Sequence, residues 1–150
     1  MALKPDRVEF LTDLSYFMNA TGERGIVVVH QSGGSGAAMD DANATVQVPS
    51  TVSGSKPAGL LLNDVVNLDL TRQHINYAKD EVQKGGKVLI LRRGTVVTNM
   101  VTGTPTVGSD AYYNLNGHLG INNPGNSTKV GRFLSKKDAD GYAKVEINIV

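Results

Sequence analysis

Short β-prone runs separated by glycine-containing turns recur at roughly ten-residue spacing along most of this chain, a rhythm that leaves little room for helices. Ile26-Val27-Val28-Val29 reads as a strand on its β-branched content and runs into the flexible loop Gln31–Gly36. Ala44–Val48 alternates and stops at Pro49, and Lys56–Gly59 reads as a turn into Leu60-Leu61-Leu62. Lys87–Leu91 and Thr95–Val101 flank Arg92-Arg93-Gly94, the pattern of a hairpin with a tight turn. Ala111–Asn114 and Val130–Leu134 are further strands, with turns at Asn116-Gly117 and Asp138–Gly141. The cleanest alternation comes last: Val145, Ile147 and Ile149 face one way, Lys144, Glu146 and Asn148 the other. Only Asp69–Glu81 has neither period, and it reads as a long connection with at most a helical turn. The expected fold is mainly β, a small antiparallel β-barrel or sandwich.

The beginning of the chain fits two periods. Val8, Leu11, Leu14 and Met18 sit at helical spacing behind a possible N-cap at Asp6, while Val8, Phe10, Leu14, Tyr16 and Met18 fit period two apart from Thr12. The segment is either a core helix or an extended arm that docks on a neighbour. We divide the chain accordingly into an N-terminal arm, 1–24, for contact with a neighbouring subunit or other partner, and a β-barrel-like domain, 25–150. On the arm reading, a chain lacking residues 1–20 still folds but has lost its contact.

The chain has 150 residues, enough for one domain with a real core and no need of disulfides or metal. Fifteen basic residues against fourteen acidic ones leave a formal charge of +1, without the basic stripe that phosphate neutralisation demands of a nucleic-acid binder. There is no cysteine, which excludes a thiolate nucleophile and a Cys-based zinc site. The first residues lack the apolar core of a signal peptide and no apolar run is long enough to cross a bilayer, so synthesis and folding in a cytoplasm are expected.

Motifs with catalytic meaning fail on inspection. Gly33-Gly-Ser35-Gly-Ala37 lacks the last glycine of a nucleophile elbow and the helix that must follow the serine. Gly34-Ser-Gly36 starts a dinucleotide fingerprint and lacks its third glycine. Gly85-Gly86-Lys87-Val88 puts valine where a phosphate-binding loop needs Ser or Thr. In a calcium-loop register over Asp138-Ala-Asp140-Gly141, Lys136 and Ile147 take two ligand positions, so a turn is the better reading. His30, His74 and His118 form no ligand-spaced pair. No catalytic residue, cofactor or metal is expected. The enzyme alternative is a small hydrolase using His74 with nearby carboxylates.

The stretch Gly59–Asn76 (Gly-Leu-Leu-Leu-Asn-Asp-Val-Val-Asn-Leu-Asp-Leu-Thr-Arg-Gln-His-Ile-Asn), with Asp80–Val88, Arg93–Asn99, Val107–Tyr112 and Val130–Tyr142, resembles the capsid decoration (cement) proteins of tailed bacteriophages. The likeness covers most of the chain after residue 56, is looser over Arg7–Gly25 and fades between residues 30 and 55. It implies a structural, non-enzymatic virion protein on the capsid exterior, seated at capsomer junctions. The implied partners are the major capsid protein and further copies of itself, a homotrimer ahead of a homodimer. Candidate contacts are Val8, Phe10, Leu11, Leu14 and Phe17 on the arm, with Arg72, His74 and Tyr77 in the central connection. The rival binding function, an adhesion or carbohydrate module, calls for an aromatic platform. The chain has no Trp and five Tyr, of which Tyr112-Tyr113 is the adjacent pair.

Overall fold

A computed structural model describes residues 3–4, 7–31, 45–64, 81–82, 87–123 and 127–149. Its elements are mainly β: β1 (Val8–Met18), β2 (Gly22–Glu23), β3 (Val27–Gln31), β4 (Thr45–Gln47), β5 (Pro57–Asp64), β6 (Glu81–Val82), β7 (Lys87–Thr98), β8 (Asp110–Tyr113), β9 (Leu119–Gly120), β10 (Lys129–Phe133) and β11 (Ala143–Asn148). A single 3₁₀ turn, Leu115–Gly117, is the only helical element among the described residues. The expected loop at Gln31–Gly36 and the connection Asp69–Glu81 fall almost wholly outside them, as do Arg72, His74 and Tyr77.

One sheet takes nine strands in the order β1-β4-β3-β5-β7-β11-β10-β8-β9, and β1 also pairs with β7. That extra pairing closes a circuit of β1, β4, β3, β5 and β7. Inside it pack Met18, Ile26, Val28, Val46, Ala58, Leu61, Val88 and Ile90, with Tyr16, Val48 and Met100 alongside. The opposite faces of β3, β5 and β7 meet β8–β11 in a second core that includes Val27, Leu60, Leu91, Tyr113, Phe133, Val145 and Ile147. A strand with a core on each side has no polar face to show. This is why Ile26–Val29, Leu60–Leu62 and Val88–Leu91 are unbroken apolar runs, whereas β11 alternates: Val145 and Ile147 are buried, Lys144 and Asn148 exposed.

The hairpin expected at Arg92-Arg93-Gly94 is not there. β7 runs unbroken from Lys87 to Thr98, and β11 pairs with its second half from Asn148↔Arg93 to Ala143↔Thr98. The glycine that looked like a turn residue has another cause. At φ 153°, a Cβ on Gly94 would collide with the Val8 carbonyl, so glycine here permits the close approach of β1. Pro57 likewise opens β5 instead of ending a turn, a position at which a strand tolerates its missing N–H. The turns at Asn116-Gly117 and Asp138–Gly141 are present: Asn116, Gly117 and Gly141 have φ of 71°, 77° and 87°.

The N-terminal segment is a strand and not a helix. It pairs antiparallel with β7 from Val8↔Thr95 to Phe17↔Lys87, with register shifts between Glu9 and Leu11, Leu11 and Thr12, and Asp13 and Tyr16. Those irregularities explain the double reading, because each one resets which face the next apolar residue takes. Both ends of the segment are tied down. Leu3 is buried in one core and Met18 in the other, and the Lys4 amide donates to the Val97 carbonyl at 3.0 Å. Lys4 Nζ also lies 4.6 Å from the Tyr142 ring centre and 3.8 Å from Asp138.

Candidate contact surface

β1 carries its large apolar side chains into solvent. Val8 is 62% exposed, Phe10 72%, Leu11 40% and Leu14 50%, while Phe17 is half-buried. Elsewhere among the described residues Val107, Leu115 and Ile121 are the exposed large apolar side chains, and they sit in or beside loops. On β1 four of them share one strand, and an apolar row of that kind marks a contact surface more than scattered single residues do.

The row is framed by cations from the neighbouring strand. The Arg93 guanidinium lies 4.8 Å from the Phe10 ring centre and Lys87 Nζ 5.9 Å from that of Phe17. These cations lie against the two rings and leave most of Phe10 exposed. Arg7 Nε binds Glu9 at 2.7 Å beside Val8. In the centre, Asp13 accepts from the Ser15 amide at 2.7 Å and from its hydroxyl. Burial pushes the Asp13 carboxyl up, but the two Ser15 hydrogen bonds and the Arg92 charge outweigh it and leave the carboxyl below its ordinary value.

The second edge of β1 pairs with β4 only at Phe17↔Thr45 and Met18↔Val46. Among the described residues no strand covers that edge over Val8–Tyr16. A bare edge is a template for strand addition, but the three shifts of register in β1 spoil its hydrogen-bond spacing. The side chains, and not the edge, are what β1 offers a partner.

The structure thus brings Val8, Phe10, Leu11, Leu14 and Phe17 together on one element. Arg93 and Lys87 had not been singled out as contacts, because one had been assigned to a turn and the other to a strand paired only with Thr95–Val101. Only the β1–β7 pairing reveals them. The remaining motifs have structural explanations where they can be seen. Asp138 accepts from the Tyr142 and Asp140 amides at 2.9 Å each, which is a turn and not a calcium loop. The Tyr142 hydrogen bond, ahead of the opposing effect of burial and with help from the Asp140 amide and Lys4, holds its carboxyl below the ordinary value. His30 packs on Tyr16, ring centres 5.5 Å apart. Among the described residues no cluster of His, Asp or Glu is arranged to hold a metal ion, and no helix is long and apolar enough to cross a membrane.

A family model matches residues 11–148, and its description is structural cement protein (E217 gp24/Pam3 gp6). The chain belongs to this family of phage structural cement proteins. A cement protein is a structural part of the virion capsid. The match takes in Leu11, Leu14 and Phe17, and Val8 and Phe10 precede it. Among curated proteins, none matches the chain.

Proposed function

We propose that this protein binds the outer surface of a bacteriophage capsid at capsomer junctions and stabilises it, using the apolar row on β1. The observation that carries the reading is the exposure of Val8, Phe10, Leu11 and Leu14 on a strand whose two ends are anchored. A pre-ordered strand loses little conformational entropy on docking, so burial of these side chains is converted efficiently into affinity. Oligomerisation, a trimer ahead of a dimer, would multiply the effect by linking several such rows. The closed circuit of strands supports the barrel reading of the fold, with residues 1–24 as its contact element. Arg72, His74 and Tyr77 stay candidate contacts from the central connection. Against a carbohydrate platform, Tyr113 is fully buried and bonded to Ser55, and Tyr16 packs between His30 and the core.

The test is to mix purified protein with undecorated capsids, measure binding by co-sedimentation and image the particles. Wild-type protein should sit at capsomer junctions as a defined oligomer. The Phe10→Asp/Leu14→Asp double variant should keep its thermal transition and lose at least tenfold in capsid affinity. A stable double variant that decorates capsids as well as wild type would sink the β1 assignment.

A further inference from the structure

Along one edge of β7 runs β1. The other edge is divided: β5 takes the half from Val88 to Leu91, and β11 takes the half from Arg93 to Thr98. Where β5 starts at Pro57 and β11 runs out at Asn148, the two part company and leave a cleft of about 420 Å³. His30, Lys56, Arg92 and Lys129 line it, with apolar wall from Pro57 and Ile149, and among the described residues no carboxylate side chain lines it. Arg92 lies at the fork itself, where its carbonyl accepts the Ile149 amide at 2.7 Å. The Arg92 side chain is half-buried, and its Nε is shielded from solvent with no hydrogen-bond partner among the described residues.

A neighbouring hollow of the same volume makes a useful contrast. It shares Lys129 and Asn148 but is also lined by Arg132 and Glu146, which face each other at 3.7 Å, so its charge is balanced from within. Among the described residues the fork cleft has no such internal acid. Lys129 is held by Asp110 at 2.9 Å, which leaves Arg92 and Lys56 as the cations without an ion pair among the described residues. Burial, and behind it the Arg92 charge, disfavours a proton on His30, and the same charge also acts on the Asp13 carboxyl of β1.

We propose that this cleft receives an acidic side chain of the capsid protein, a second contact that sets the orientation of the cement protein on the shell. The inference rests on the capsid-binding reading given above. A half-buried guanidinium and an exposed ammonium lining one open cleft favour a carboxylate, which each can meet with a charge-assisted hydrogen bond. Pro57 and Ile149 suit the methylene stem of such a side chain. The apolar row would then supply contact area and the cleft would supply register.

Two measurements decide it. In the first, the intact protein is titrated with a hexaglutamate peptide, with inorganic phosphate and with hexalysine, following the His30 ring by NMR. The peptide should shift the His30 resonances saturably, and Lys56→Glu/Arg92→Gln protein with an unchanged fold should show no shift. Phosphate binding as tight as the peptide, or peptide shifts that avoid His30, overturns the assignment. In the second, Lys56→Glu alone should lower capsid affinity about tenfold at low salt, and less at high salt, with thermal stability unchanged. Capsid binding that is lost in the β1 double variant but unaffected by Lys56→Glu overturns this inference and leaves the capsid-binding reading intact. Failure of wild-type protein to bind capsids removes that reading, whatever the peptide titration gives.

Discussion

β1 and β11 both pair antiparallel with β7, and they spend their apolar residues in opposite ways. β11 keeps register through six consecutive pairs, and its inward residues Val145 and Ile147 are fully buried. β1 shifts register three times and leaves four large apolar side chains in water. A strand needs only one apolar face to stay in a sheet. The exposed row of β1 therefore does little for the fold that holds it, as the proposed contact role requires.

The comparison can be broken by substitution. The largest effect belongs to β11: Ile147→Ala should cost about 2–5 kcal/mol in chemical denaturation, while Phe10→Ala should stay within about 0.5 kcal/mol of wild type. If Phe10→Ala proves as costly as Ile147→Ala, the contrast between the strands is wrong. Next comes the seam. Gly94→Ala brings a Cβ against the Val8 carbonyl, so it should cost about 1–3 kcal/mol and raise hydrogen exchange selectively over Val8–Thr12.

Truncation is less informative than the sequence implied. Removing residues 1–20 takes Leu3 and Met18 out of the two cores together with the contact row, so a folding defect is expected alongside the loss of binding. The smallest effect concerns His30. Burial, then the Arg92 charge, hold its pKa below the ordinary value of 6.5. The unfolded chain therefore takes up the proton first as pH falls. Stability is complete above about pH 6.5 and declines as pH drops below it, a modest slope that His30→Gln should flatten in thermal melts.

Much of this architecture could be read from the chain. β3, β8, β10 and β11 lie where their apolar content and flanking turns put them, because each packs by rules local to a strand. β7 was misjudged because Arg92-Arg93-Gly94 has the composition of a turn. What overrides that composition is the tertiary approach of Val8, which no local window contains. The β1 contact residues were named from apolarity alone, and their exposure depends on bulges that only pairing with β7 reveals. Arg92 was invisible as a site residue for a similar reason. It matters because two strands from distant parts of the chain diverge beside it.

The divided edge of β7 has a mechanical meaning. Backbone hydrogen bonds in a sheet lie across the strands, so a pull along a strand loads many at once, whereas a sideways pull opens them one after another. β1 is laced to β7 from Val8 to Phe17, and β7 in turn grips β5 with one half and β11 with the other. Tension entering along β1 is therefore shared in shear over its whole length and handed to both cores. On the proposed capsid-binding role, this layout would resist a shell that swells beneath it where the strain runs parallel to β1, and would yield most easily when peeled from the side.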